Sequence, residues 1–166
     1  MKKISVSAIL AAAALCAALS AEAYQVPQKI REQATQYSKM AKEMIRAGRV
    51  TDGVKMMRLA IKTNPVDPML RMDYVTFMSR KGEQSLKDGK RAEAIAVFRS
   101  VEEELMSAAK LFKDSGASGN AAHALGQVGD IHRYVYGNES RARGYYSKAL
   151  ELDPKSAALT AKLGQR

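Results

Sequence analysis

A short pattern of one small and one large residue occurs three times along this 166-residue chain. Gly48, Gly89 and Gly137 are each followed five positions later by Gly or Ala, and a large side chain comes four positions after that. The three pairs are Gly53 with Met57, Ala94 with Phe98, and Ala142 with Tyr146. A pattern that returns at intervals of this size indicates a chain built from stacked repeats.

Apolar residues between these points recur every three or four positions, which is the period of an α-helix. One apolar stripe runs from Val26 to Met44 and another from Ala94 to Phe112, and no segment alternates long enough to predict a strand. The Asp-Pro pairs at 67–68 and 153–154 are typical of helix starts, and glycines mark helix ends. Seven helices are predicted, at roughly 27–47, 50–63, 67–88, 90–113, 119–136, 139–152 and 155–164.

The small–large pairs have a mechanical reason. Two antiparallel helices can approach closely only where a small side chain faces a large one, so Gly or Ala at one level and Met, Phe or Tyr a turn away would lock a hairpin together. A single hairpin cannot bury its own apolar face, and neighbouring hairpins therefore stack. Leu159 and Leu163 would let the last helix cover the end of that stack.

The spacing resembles that of the tetratricopeptide repeat family, whose unit is a helix–turn–helix of about 34 residues. The first copy fits in register from its aromatic residue to its closing proline, at Tyr37, Met40, Ala41, Met44, Gly53, Met57, Ala60 and Pro65. The resemblance covers about Ala34 to Pro154. It implies an all-α, right-handed solenoid of about three hairpins with a C-terminal capping helix.

Two copies depart from the family pattern. The second copy keeps Gly82, Ala94 and Phe98 but has Lys81 and Ser85 where large apolar residues belong. The third copy needs one extra residue before its small helix-pairing alanine at 142. We expect the second helices of the hairpins to follow the family pattern more closely than the first.

The first 23 residues have the pattern of a bacterial secretory signal peptide. Lys2 and Lys3 precede a short apolar run over 4–19, and Ala21 and Ala23 have the spacing that suits cleavage before Tyr24. A retained membrane anchor is the alternative, but the run is shorter than the roughly 20 apolar residues that a span requires. We expect an exported protein, periplasmic or secreted, with a repeat domain over 24–166. Cys16 would leave with the leader, so the mature chain would form no disulfide.

The first helix of each hairpin lines the inner face of a curved helical solenoid, where peptides and partner helices bind. The candidate groove residues are Thr35, Ser38, Lys42, Ile45 and Arg46 in the first hairpin, Thr76, Ser79, Arg80, Glu83 and Lys87 in the second, and His123, Asp130, Arg133 and Tyr134 in the third. A solvated face without a ligand is the alternative.

One subset of the family holds the carboxylate tail of chaperones with Lys, Asn and Arg at fixed inner positions. Ser38 and Lys42 do not match that pattern and Glu83 would repel a carboxylate, so this activity is not expected here.

The formal net charge of +10 has a local source, because seven Lys and Arg residues lie between Lys39 and Lys62. A positive field attracts anionic surfaces, which makes attachment to an anionic envelope polymer or a membrane surface the second hypothesis. Nucleic acid is not expected, since no helix resembles a groove-reading motif. The same segment is rich in Met, for which core filling is the expected use.

Nothing in the sequence favours catalysis, a cofactor or a metal. His123 and His132 are nine positions apart and no mature Cys could join them as a ligand. No nucleophile elbow and no glycine-rich phosphate loop is present. The first hypothesis is therefore a non-catalytic scaffold that binds a protein or peptide partner in the bacterial envelope. An enzyme whose site is assembled from distant residues is the third, and the oligomeric state stays open.

Overall fold

The computed structural model describes residues 26–164, and the predicted leader with its cleavage site lies outside the described residues. Within this part the chain forms seven α-helices and no strand. They are α1 Gln28–Arg46, α2 Val50–Thr63, α3 Pro68–Lys87, α4 Arg91–Asp114, α5 Ser118–Asp130, α6 Glu139–Leu152 and α7 Ala157–Gly164. A π-helical turn, Ile131–Val135, continues directly from α5. All seven helices agree closely with the predicted ranges.

The helices pair in chain order as α1 with α2, α3 with α4, and α5 with α6. The hairpins stack through contacts of α2 with α3 and of α4 with α5, and α7 packs on α6. The predicted all-α solenoid of three hairpins with a terminal helix is confirmed. Leu159 of α7 is buried against Gly126, Ala122 and Tyr146, so this helix covers the last hairpin as expected.

Close contacts between small and large residues hold the second and third hairpins together. A methyl group added at Gly82 would lie 2.6 Å from Cε2 of Phe98, and one added at Gly129 would lie 2.4 Å from Cε1 of Tyr146. Both rings are buried. In the first hairpin the corresponding close approach is made by Gly53, which lies against Ile45 of α1. The two helices of each hairpin therefore approach one another at a glycine, which has no side chain to keep them apart.

Each hairpin turn ends its first helix with a glycine in the left-handed region. Gly48, Gly89 and Gly137 have φ values of 79°, 74° and 67°. After Gly89 the Lys90 amide donates to the Ser85 carbonyl at 2.8 Å, which is the hydrogen bond of a Schellman turn.

We expect Gly89→Ala to lower the free energy of unfolding by about 1 kcal/mol, because alanine is strained at this φ. Gly144 is the matched control, since it lies inside α6 with no atom near its added methyl group. Gly144→Ala should raise stability by about 0.5–1 kcal/mol through helix propensity. Urea unfolding followed by circular dichroism measures both, and equal effects would contradict the turn assignment.

The π-helical turn accounts for the extra residue of the third copy. Its amide at Tyr136 donates to the Ile131 carbonyl at 3.1 Å, five residues back rather than four. A π turn accommodates one additional residue inside a helix without breaking it. The third hairpin can therefore keep its contact between Gly129 and Tyr146 despite the insertion.

Two local expectations are wrong. Asp153 and Pro154 do not begin a helix: they lie in a turn, and α7 starts at Ala157 after Ser156, whose hydroxyl lies 3.5 Å from the Leu159 amide. Asp67 does cap α3, accepting from the Met69 amide at 2.8 Å.

Met40, expected in the core, is 43% exposed because no earlier hairpin in the described chain covers this side of α1.

Candidate functional site

The main concave feature is a cavity of about 520 Å³ between α3 and the π turn that follows α5. We call it the α3–α5 groove. Its floor is apolar and consists of Val75, Leu86, Phe98, Ile131 and Val135. Four of these five side chains are buried and Leu86 is half-buried. A cavity of this size with such a floor can receive one or two large apolar side chains.

The rim of the α3–α5 groove is polar. It consists of Thr76, Ser79, Arg80 and Glu83 from α3, and of Gln127, Asp130 and Tyr134 from the opposite wall. Arg80 and Glu83 are exposed and form no ion pair within residues 26–164. Tyr134 is 66% exposed, so its ring is available to a ligand at the edge of the groove.

The π turn places three residues on this groove, namely Ile131, Tyr134 and Val135. One added residue in a helix turns every later side chain by roughly 100° about the helix axis. Sequence reasoning predicted Tyr134 but missed Ile131 and Val135 as groove residues. The only signal for them was the one-residue excess before Ala142, whose structural form could not be read from the spacing.

A second, smaller cavity of about 370 Å³ lies between α1 and α3. We call it the α1–α3 groove. Lys42 forms an ion pair across it with Asp73, at 2.6 Å between Nζ and Oδ2. The buried Ser38 hydroxyl donates to the same Oδ2 at 3.0 Å. The remaining lining residues are Thr35, Lys39, Glu43, Arg46, Asp67, Met69 and Leu70.

The structure brings together ten of the fourteen candidate groove residues. The α3–α5 groove holds Thr76, Ser79, Arg80, Glu83, Asp130 and Tyr134, and the α1–α3 groove holds Thr35, Ser38, Lys42 and Arg46. The other four lie elsewhere. Ile45 packs against Gly53, Lys87 is exposed in the last turn of α3, His123 lines a cavity beside α7, and Arg133 faces α6 and α7.

Arg133 belongs to a network that fixes the C-terminal end of the solenoid. Its guanidinium lies over the ring of Tyr146, at 5.0 Å from the centroid, and donates to the Lys162 carbonyl at 3.0 Å. Its hydrogen bonds to Glu139 raise the pKa of Arg133 and lower the pKa of that carboxyl group. Arg133 is thus committed to structure, although it adjoins Tyr134 in sequence.

Asp130 connects this network to the groove. It accepts from the Tyr146 hydroxyl at 2.9 Å and forms an ion pair with Lys162 at 2.6 Å. Burial, followed by this hydrogen bond, raises the pKa of Tyr146. The carboxylate of Asp130 is therefore neutralised locally, which leaves Arg80 and Glu83 as the rim charges that a ligand can meet.

Behind the groove, His132 joins the second and third hairpins. The ring is buried, its Nε2 lies 3.0 Å from Glu102 Oε1 on α4, and it stacks on Tyr145 at 5.2 Å. Tyr136 meets the same imidazole edge-on at 5.1 Å. The Nδ1 atom of His132 and the Tyr136 hydroxyl are both buried without a hydrogen-bond partner.

Burial, and next the charge of Glu102, raises the pKa of Tyr136 to about 12. The neutral phenol is thus favoured in the folded state, and stability is lost as the pH rises from the ordinary tyrosine pKa near 10 towards the folded value. We expect Tyr136→Phe to be neutral or stabilising by up to about 1 kcal/mol at pH 7, because it removes an unpaired buried hydroxyl.

The stabilising effect of Tyr136→Phe should grow between pH 10 and 12, where the wild-type phenol ionises on unfolding. Chemical unfolding of both proteins across this pH range tests the prediction. A difference in unfolding free energy between the two proteins that stays constant from pH 7 to pH 12 would contradict it. The lysines also titrate in this range, but they contribute equally to both proteins and cancel in the difference.

Within residues 26–164 no group of three or more His, Cys, Asp or Glu side chains is arranged to hold a metal ion. None of the described helices combines the length and the apolar character needed to cross a membrane.

The stacked hairpins and the inner groove define the chain as a helical-repeat protein with a tetratricopeptide-like fold. One solved structure similar to it is the N-terminal domain of stress-induced protein-1 from C. elegans, with a TM-score of 0.59 and 14% sequence identity. The match covers 83% of this chain and 97% of that one. No protein-family model and no curated protein matches the sequence. At this identity the similarity shows the fold alone.

Proposed function

We propose that this protein is an exported, non-catalytic scaffold of the bacterial cell envelope that docks a segment of another protein in its inner groove. The observation that carries the proposal is the α3–α5 groove, with its buried apolar floor, the unpaired rim charges of Arg80 and Glu83 and the exposed ring of Tyr134. Tyrosine is among the residues that contribute most to binding at protein interfaces.

The envelope location rests on the sequence. Lys2 and Lys3, the short apolar run and the two alanines before Tyr24 together have the form of a cleaved export leader. Cleavage at that point is tested by the N-terminal sequence of the protein recovered from a cell fraction. A mature chain that begins at Tyr24 supports export, and an uncleaved chain in the cytoplasm would contradict it.

Affinity capture from envelope extracts tests the docking function. We expect Tyr134→Ala to reduce recovery of the captured protein by roughly tenfold or more, in line with the loss of an interface tyrosine. Met106→Ala is the matched control, because Met106 is a large exposed residue on α4, outside both grooves. Equal recovery with both variants would contradict the groove assignment.

A change of charge in the α1–α3 groove is better made at Arg46 than at Lys42. Reversal at Lys42 would place a carboxylate beside Asp73 and disturb the internal ion pair. Attachment to an anionic polymer or membrane surface would instead depend on the total charge of the protein. Such binding would weaken as salt is raised, and the loss of any one cation would weaken it to the same extent.

A further inference from the structure

The positive charge of the protein is concentrated in the first hairpin. Residues 28–63 contain nine Lys and Arg against three Asp and Glu, whereas residues 68–114 contain nine against eight. Within this hairpin α1 carries five cations against two carboxylates. A field of this sign attracts and orients an anionic partner.

On α1 four of the five cations share one face, and Lys29 lies away from it. Arg31, Lys39, Lys42 and Arg46 recur at helical spacing together with Thr35, and three of these four cations line the α1–α3 groove. From Arg31 to Arg46 the stripe extends over roughly 22 Å at the α-helical rise. Lys39, Lys42 and Arg46 belong to the basic segment over 39–62, and the structure places all three on one groove.

Not all of these cations are available to a ligand. Lys42 is held by Asp73, whereas Arg31, Lys39 and Arg46 have no ion pair within residues 26–164. Among the carboxylates that line this groove, Asp73 is paired, whereas Glu43 and Asp67 have no ion pair within residues 26–164, and Asp67 keeps its charge while it caps α3. Against the three unpaired cations of this α1 face this leaves an excess of one positive charge, to which the other charged residues of the first hairpin add.

The two grooves share α3 as a common wall. Residues Asp67 to Asp73 line the α1–α3 groove, and residues Val75 to Leu86 line the α3–α5 groove. Their centres are about ten residues apart, which is roughly 15 Å along the helix. An extended segment of about five or six residues covers this distance.

From this geometry we infer the chemistry of the docked segment, an inference that rests on the proposed function. The segment is extended and internal to its protein. It places a short run of Asp or Glu along Lys39 and Arg46 of α1, and one large apolar side chain, about five or six positions away, on the floor of the α3–α5 groove beside Tyr134.

The same geometry disfavours other occupants. A chain-terminal carboxylate would need the inner positions of Ser38 and Lys42, and both are already bound to Asp73. A planar anionic bilayer would meet the exposed cations Arg31, Lys39 and Arg46 without filling the apolar floor of the α3–α5 groove. A second copy of this chain would present the same positive hairpin and would be repelled.

The test uses labelled synthetic peptides with blocked ends and fluorescence anisotropy. Each peptide carries a short run of Asp and one Phe about six positions away, separated by Ser and Gly, and the order is reversed in the second peptide. We expect one of the two peptides to bind saturably, and salt to weaken that binding. Binding should be lost when the Asp run is changed to Asn, and also when Phe is changed to Ala.

Variants of the protein locate the binding. The double variant Lys39→Glu, Arg46→Glu should weaken binding roughly tenfold, the scale expected for a few exposed ion pairs. The matched control is Lys55→Glu, Lys62→Glu, which makes the same charge change on the exposed side of α2, outside both grooves. It should leave binding within about twofold, because these two cations line neither groove and exposed charges are screened by salt.

Three results would overturn the inference: no saturable binding of either peptide, equal weakening by the two double variants, or binding to phosphatidylglycerol vesicles with the same dependence on Lys39 and Arg46. If the peptides fail while envelope capture still depends on Tyr134, the segment chemistry is wrong and the proposed function stands. If capture is also insensitive to Tyr134, both are wrong.

Discussion

Replacing Tyr146 by alanine should lower the free energy of unfolding by about 3–5 kcal/mol, the range for loss of a buried aromatic side chain. The ring is fully buried against Gly129, its hydroxyl donates to Asp130 at 2.9 Å, and Lys162 lies 5.6 Å from its centroid. Its removal leaves a cavity and breaks the network that holds α7. Urea unfolding followed by circular dichroism measures the loss.

Tyr134→Ala is the control for the Tyr146 prediction, because it removes the same side chain from an exposed position next to the same network. It should change stability by less than about 0.5 kcal/mol. A similar loss in both variants would show that the third hairpin is not closed by Tyr146.

Gly129→Val approaches the same contact from the opposite side and should cost about 3 kcal/mol. Overpacking a core ordinarily costs 1–3 kcal/mol, and this methyl group would lie 2.4 Å from a buried ring. The change forces α5 and α6 apart at the level where they approach most closely. Gly144→Val, in an open position of α6, should be near neutral.

The double variant Gly129→Val, Tyr146→Ala separates this mechanism from general damage. If the side chains interlock, the loss of the ring makes room for valine, and the double variant should be clearly less destabilised than the sum of the single variants. Strict additivity would contradict the interlock, whatever the size of each single effect.

The sequence predicted the hairpins because the interlock is a local pattern. Gly82 and Phe98 are 16 positions apart and Gly129 and Tyr146 are 17 apart, so each contact joins neighbouring helices. The pattern identified the large residues correctly but paired them with Ala94 and Ala142 rather than with these glycines. The positive-φ glycines at the turns were equally readable, since few other residues adopt that conformation.

The charged features of the groove were less predictable. Lys42 pairs with Asp73, 31 positions away, and Ser38 bonds to the same carboxylate. Which face of α1 meets which face of α3 depends on how successive hairpins stack, and the spacing of residues within one hairpin does not give that register. The availability of Arg46 rather than Lys42 could only be seen in three dimensions.

The π turn is a second case in which the pattern was incomplete. The extra residue in the third copy was visible, but it could equally have lengthened the loop at Gly137 or shifted α6. The structure places it over Ile131–Val135, where it brings Tyr134 and Val135 to the groove. A misfit to a repeat pattern thus indicated the segment that forms part of the candidate site.

The most direct measurement is site-specific photo-crosslinking in cells, with benzoyl-phenylalanine introduced in turn at Tyr134, Arg80, Lys62 and Lys113. The first two positions line the α3–α5 groove, and the last two are exposed outside both grooves. We predict a discrete adduct with one envelope protein from positions 134 and 80 and none from positions 62 and 113. No adduct at position 134, or the same adducts from all four positions, would contradict docking in the groove.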